Sequence, residues 1–196
     1  MKILVNAFVH SFVYSKKDAE RASLAEENQN LNFESKTDEL TKLFNRRGLY
    51  EYGQQLLDVA LAAGQEGCVF FCDLDGLKTI NDTWGHEIGD LAIQTESKVL
   101  RAAFRDSDMV GRLSGDEFGI IAPGLPLRKI DVIRERLVLL NEQYSKEANL
   151  PFTLSISIGA VEFNSNAADL KDLLKEADKY LYEEKKIKHA QRDAKK

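Results

Sequence analysis

Two short acidic clusters hold the residues of this chain that are best suited to chemistry. In RLSGDEFGII, residues 112–121, Asp116 and Glu117 follow Ser114 and Gly115 in a tight turn between apolar residues. In FCDLDGLK, residues 71–78, Asp73 and Asp75 close another apolar run, and Gly76 follows them. Alternate side chains of a strand share a face, so Asp73 and Asp75 point the same way if the strand stays regular as far as Asp75. Gly76 then lets the backbone turn close to a ligand. If the two clusters are neighbours, Asp73 converges with one or both of Asp116 and Glu117. Crowded carboxylates repel one another unless a cation sits between them. Oxygen donors without His or Cys select Mg²⁺ or Mn²⁺ over zinc. Such a site suits phosphoryl or nucleotidyl transfer, where the ion activates a hydroxyl and offsets charge on the phosphate. Acidic turns also serve as plain solvated caps, and spacing alone leaves both readings open.

The elements that must position these acids alternate helix and strand. Leu49, Tyr52, Leu56, Ala60 and Ala63 recur at helical spacing, with Asn45 as N-cap and Gly64 as stop. The strand CVFFCDLD follows, then a helix carrying Ile88, Leu91, Thr95, Val99 and Ala102. MVGRL and FGIIA flank Ser114 to Glu117 and read as a β-hairpin with Gly115 in its turn. Leu127, Ile130, Ile133, Leu137 and Leu140 mark a third helix, FTLSISIGAVEF alternates as a strand, and a last helix starts near Ala167 with Asn166 as N-cap. This order predicts an α/β (α+β) domain of split βαβ, ferredoxin-like type, with a mainly antiparallel sheet, the hairpin strands central and helices on one face. Neither G-x-G-x-x-G nor a P-loop is present, which disfavours those nucleotide folds.

Composition bounds the function. The 196 residues are 43% hydrophobic and 30% charged, as in a soluble globular protein, and suit one domain plus an extra segment. A net charge of −5 argues against non-specific binding to nucleic acid or anionic lipid. Any polyphosphate needs a metal and placed lysines to offset its charge. Cys68 and Cys72 lie in an apolar run with no further soft ligands at zinc spacing, so they read as buried thiols in a reducing cytosol. The apolar N-terminus, residues 3–14, is too short to span a bilayer and lacks a cleavage site, so a cytoplasmic location is expected. Residues 1–36 form a polar, helix-prone extension in which Leu24 and Leu31 make one heptad pair. They fit a solvated connector and a short coiled coil equally well. The expected domain spans 37–190, with a charged tail at 191–196.

Five segments together resemble the GGDEF-domain diguanylate cyclases: DELTKLFNRR (38–47), DLDGLKTINDTWGHEIGD (73–90), RLSGDEF (112–118), SISIGA (155–160) and EADKYLYEEKK (176–186). The resemblance implies a palm-like fold and the condensation of two GTP into cyclic di-GMP with release of pyrophosphate. It makes Asp73, the Leu74 carbonyl, Asp116 and Glu117 the holders of Mg²⁺ or Mn²⁺, with Glu117 required by the chemistry. Asn81 and Asp90 match the pair that reads guanine, and Leu40 and Ile93 the apolar lining of the base pocket. Lys78 and Lys185 would reach the triphosphate, while Gly76, Leu77, Ser114 and Gly115 border it. Because one domain holds one GTP, the resemblance implies a homodimer, at least transient. Arg105 and Asp108 in RDSD resemble the family's R-x-x-D product-inhibition site, with Arg136 as a secondary contact.

Each of these residues also has a plainer role. Asn81 suits a helix cap, Asp90 a first-turn acid, Leu40 and Ile93 ordinary core, the lysines a solvated surface and the Arg105–Asp108 pair a local salt bridge. Five positions depart from the family pattern. Ser114 replaces the signature's first glycine and is tolerable there if its φ is negative. Gly76 and Leu77 stand where aromatics are common, and Lys42 replaces a glycine in its turn. His189 falls where a phosphate-contacting arginine is expected, with Lys188 beside it as a candidate substitute. The alternative function is a non-catalytic GGDEF-like receptor for cyclic di-GMP or GTP.

Overall fold

The computed structural model describes residues 35–164 and 169–193. The chain divides into two compact units, Met1–Thr37 and Asp38–Lys196, and almost everything described belongs to the second. The heptad pair Leu24 and Leu31, the expected cap Asn166 and the helix start at Ala167 lie outside the described residues.

The elements are α1 (Arg46–Ala62), β1 (Gly67–Leu74), α2 (Leu77–Trp84), α3 (His86–Ala103), β2 (Met109–Ser114), β3 (Glu117–Pro123), a short 3₁₀ turn (Leu127–Lys129), α4 (Ile130–Glu147), β4 (Ile156–Phe163) and α5 (Leu170–Asp193). Local chemistry sets several ends. The Asn45 side chain accepts from the Gly48 amide at 2.9 Å and starts α1. Gly64, at φ +67°, follows the helix's last turn and closes it. Helix α5 continues through Asp193, so the expected tail boundary at 191 falls inside it.

The four strands form one antiparallel sheet in the order β2-β3-β1-β4. This is the mixed, mainly antiparallel architecture that the element order predicts, with two corrections. The hairpin supplies one central strand, β3, while β2 lies at the edge. Helices also cover both faces rather than one. Cys68, Phe70, Cys72 and Leu74 pack with Ala92, Ile93, Val99 and Leu100 of α3 and with Ile133 and Leu137 of α4. Val69 and Ile121 pack on the other face with Leu49 and Leu57 of α1 and Leu170 and Leu174 of α5. The uninterrupted apolar run of β1 requires this, because a strand apolar at every position is buried on both sides.

Two features of the helices also differ from expectation. The buried stripe of α1 is Leu49, Gly53, Leu57 and Ala60, not Tyr52 and Leu56. The predicted helix at 88–102 is preceded by a separate short helix, α2, broken from α3 at Gly85 (φ +86°). Helix α5 lies directly on β4: a Cβ built on Gly159 would sit 2.0 Å from the Ala177 carbonyl oxygen and 2.3 Å from the Leu181 amide. Only glycine permits that approach.

Candidate active site

The two acidic clusters meet where β1 ends and β3 begins. Asp73 and Glu117 are direct register partners, so their side chains leave the same face of the sheet. The Leu74 amide donates to the Asp116 carbonyl at 3.0 Å, which ties the hairpin turn to the end of β1. Gly115 makes that turn at φ +35°, and Ser114 is not among the residues of positive φ, so serine is accommodated without backbone strain. The Ser114 hydroxyl instead donates to Glu117 Oε2.

The turn is held from outside as well. Arg112 Nε donates to the Gly115 carbonyl at 2.9 Å, while its Nη1 reaches Asp38 Oδ1 at 3.1 Å. Asp38 in turn accepts from the amide and hydroxyl of Thr41 at 2.9 and 2.7 Å. Burial works to raise the Asp38 carboxyl, but Thr41 and the Arg112 guanidinium hold it below the ordinary aspartate value. Arg112 therefore joins the acidic turn to the turn that carries Leu40. Sequence reading assigned neither Arg112 nor Asp38 a role, because a pair 74 residues apart leaves no local signal.

Strand β1 stops at Leu74, so Asp75 does not continue the alternation with Asp73. Its carboxylate accepts from the hydroxyls of Ser155 and Ser157, both at 2.7 Å, and from Lys188 Nζ at 3.0 Å. Burial alone would raise the Asp75 carboxyl; the two hydroxyls and the ammonium outweigh it and hold the group below its ordinary value. Asp73 behaves oppositely. Burial, reinforced by the charges of Asp116 and Asp75, pushes its carboxyl up, although Lys185 opposes the shift from 2.6 Å.

The expected convergence of carboxylates is incomplete. Among the described residues, no three His, Cys, Asp or Glu side chains gather closely enough to hold a metal ion. Lys185 takes Asp73 Oδ1, and Ser114 takes Glu117 Oε2, so each carboxylate already has a partner. The donors still suit a hard divalent cation, since they are all oxygens at adjacent strand ends. The raised Asp73 carboxyl marks a place where further positive charge is favourable.

The remaining residues fall around this centre. The Asn81 side chain lies over Gly89, where a Cβ would come within 1.9 Å of Asn81 Oδ1. The glycine brings Asn81 of α2 against the start of α3, next to Asp90. Ile93 belongs to the core, and Leu40 and Leu77 pack against the same cluster, an arrangement open to both base lining and core. Gln94 Nε2 donates to the Leu40 carbonyl at 3.4 Å, and Arg101 donates to the Lys42 carbonyl, fixing that turn on α3. Lys78 and Gly76 are exposed. The ammonium of Lys188 is engaged by Asp75, the Ile156 carbonyl (2.7 Å) and Glu184 (3.5 Å). The ammonium is thus held within the domain by two hydrogen bonds and an ion pair, so Lys188 does not stand in for the arginine in this structure. The side chain of His189 lies outside the described residues.

Arg105 and Asp108 form a closed turn away from this centre, at the end of α3. The Arg105 amide donates to Asp108 Oδ2 at 2.9 Å, while Asp108 Oδ1 has no hydrogen-bond partner among the described residues. Burial pushes the Asp108 carboxyl up, with the Arg105 amide and charge opposing it. Arg136 of α4 donates to the Ala102 carbonyl at 2.7 Å, just before that turn. Both cysteines are buried as free thiols, with burial pushing Cys68 up to about 12 and Cys72 well above the ordinary thiol value. No helix among the described residues is long and apolar enough to cross a membrane.

With this geometry in place, comparison with known proteins defines the class. Residues 35–191 match the family described as diguanylate cyclase, GGDEF domain, and the chain belongs to that family. It is 33% identical over 151 residues to the probable diguanylate cyclase DgcT of Escherichia coli K12, covering 76% of this chain and 33% of that protein. It is also 33% identical over 177 residues to the diguanylate cyclase DgcP of the same strain, covering 89% of this chain and 52% of DgcP. The chain thus spans between a third and about half of these relatives' lengths. The isolated GGDEF domain of TpbB (YfiN) from Pseudomonas aeruginosa superposes with a TM-score of 0.68 at 28% identity, covering 77% of this chain and 89% of that one. The coiled coil and GGDEF domain of DgcB from Caulobacter crescentus, solved with c-di-GMP, shares the fold with a TM-score of 0.72 at 24% identity, covering 88% and 92%.

Proposed function

We propose that this chain condenses two molecules of GTP into cyclic di-GMP, releasing pyrophosphate, as a metal-dependent homodimer in the cytoplasm. The observation that carries the reading is the register pairing of Asp73 with Glu117 at the joined ends of β1 and β3, in a member of the GGDEF family. Asp73, the Leu74 carbonyl, Asp116 and Glu117 would hold Mg²⁺ or Mn²⁺. When bound, the ion supplies charge neutralisation on the triphosphate and a lower pKa for the attacking 3′-hydroxyl.

The chain's own residues bind and orient the substrate. Asn81 and Asp90 offer an amide and a carboxylate that complement the acceptor and donor edges of guanine. Leu40 and Ile93 line the base, and the exposed Lys78 with Lys185 meets the phosphates. The backbone at Gly76, Leu77, Ser114 and Gly115 borders them. One GTP per domain requires a second copy opposite, so that each 3′-hydroxyl attacks the α-phosphate held by the partner. Arg105 and Asp108, with Arg136 beside α3, would bind product and restrain the enzyme; the unpartnered Asp108 Oδ1 is suited to a guanine N–H.

The test is to measure cyclic di-GMP formation by Asp73→Ala and Glu117→Ala beside the unmodified chain. Both variants should keep their helical circular dichroism and lose turnover. Product formation at the unmodified rate in either one would remove these carboxylates from the mechanism.

A further inference from the structure

Helix α5 meets the catalytic end of β1 through two ion pairs, Lys185 with Asp73 and Lys188 with Asp75. The spacing is a geometric match. Asp73 lies opposite Ser157 on β4, two residues along from Gly159, where α5 touches the strand near Leu181. Two strand residues cover about 6.6 Å, and the four helical residues from Leu181 to Lys185 cover about 6 Å. Lys188 lies one further turn along the helix, where β1 has given way to Asp75.

The two rungs are not equivalent. Asp73 has one cationic partner, and its carboxyl is under charge pressure from Asp116 and Asp75. Asp75 is locked: two serine hydroxyls and Lys188 hold its carboxylate, and its amide donates to the Ser155 carbonyl at 2.8 Å. Lys188 is locked too. Strand β4 is an edge strand, and α5 satisfies its free polar groups: Lys188 donates to the Ile156 carbonyl, and Glu184 accepts from the Ile158 amide at 3.1 Å. Arg134 of α4 pins Glu184 from 2.8 Å. An edge-strand carbonyl, a buried carboxylate and a helix are thus joined at one ammonium.

We infer that Lys188 is a positioning residue, and that its rung with Asp75 fixes α5 so that Lys185 can leave Asp73 for the triphosphate without the helix moving. This rests on the reading of the site as a GTP site. When nucleotide and cation arrive, Lys185 exchanges one anion for another, while the Lys188 rung and the covered β4 edge keep its backbone in place.

The test is a double-mutant cycle on Lys185→Met and Lys188→Met, reading affinity for a non-hydrolysable GTP analogue with Mg²⁺ by calorimetry. Lys188→Met should weaken binding about tenfold in the native background and less than twofold beside Lys185→Met, because a group acting through Lys185 has nothing to act on once it is gone. Lys188→Arg should restore most of the affinity. An equal loss in both backgrounds, or no loss in the native one, overturns the inference. Should Lys188→Met fail to fold, Ser157→Ala, which removes one bond to Asp75, is put through the same cycle with the same criteria. If the unmodified chain binds no GTP analogue, the GTP-site reading falls and the inference with it. If it binds and the cycle is additive, the inference alone falls.

Discussion

Glu96 provides a quantitative test of the core. It lies on the buried face of α3 with no exposed surface. Neither of its carboxylate oxygens has a hydrogen-bond partner among the described residues, nor does Asn141 Oδ1 beside it. Burial first, then the charge of Asp75, pushes its carboxyl from the ordinary 4.5 up to about 8, against the Asn141 amide and the Lys188 ammonium. At neutral pH the folded chain therefore carries a protonated Glu96, whose hydroxyl can donate to Asn141 Oδ1 and so pair one carboxyl oxygen with that acceptor. The unfolded chain ionises the same group above 4.5, so folding takes up a proton between the two values. The stabilisation is complete below 4.5 and is lost as pH rises through 8, at a slope of about 1.4 kcal/mol per pH unit.

Between pH 5 and pH 8 this amounts to about 3 kcal/mol, a large part of a small domain's usual margin. Glu96→Gln keeps the shape and removes the titration. Urea unfolding followed by circular dichroism at several pH values checks it: the native chain should lose about 3 kcal/mol more than the variant over that range, and the difference should flatten above pH 8. Asp73 and Asp75 titrate in both proteins and cancel in the comparison. Parallel stability curves would refute a neutral Glu96 in the core.

Other consequences follow from the same contacts. Ser114→Gly removes the hydroxyl that donates to Glu117; a bond of about 1 kcal/mol to an exposed carboxylate makes turnover rise about fivefold, measured as initial rates of cyclic di-GMP formation. Lys42 holds φ +57°, so Lys42→Gly should stabilise the domain by about 1 kcal/mol in urea, and a loss of stability would show that the lysine makes a compensating contact. Arg105→Ala should raise the product concentration needed for half-inhibition at least tenfold with initial rate unchanged, and an unaltered inhibition curve would remove that turn from regulation.

The sequence shows the site's parts more clearly than their assembly. β1 and the hairpin are legible because an apolar run closed by acids and a Ser-Gly turn are local signals. The short turn sets register within the hairpin, but the pairing of β1 with β3 that brings Asp73 to Glu117 spans a long crossover and has no such local signal. The end of β1 at Leu74 is not legible, since what draws Asp75 out of the strand is Ser155, Ser157 and Lys188, 80 or more residues away. The face of α1 shifts because Gly53 does not count as apolar, yet the methyls of Leu170 and Ile121 press to within 3 Å of where its Cβ would be. Glu96 reads as solvent-facing in any hydropathy pattern, and only the packing of α3 against α4 and the sheet shows it buried. The Lys185–Asp73 contact joins residues far apart in the chain and has no local signature.

The most direct measurement is the product made by the unmodified chain, stripped of bound nucleotide and incubated with GTP and Mg²⁺ over a range of protein concentrations. Cyclic di-GMP and pyrophosphate should appear, with specific activity rising with protein concentration until the dimer is saturated. Intact GTP at every concentration, together with tight binding of cyclic di-GMP, would contradict the account and make the chain a receptor.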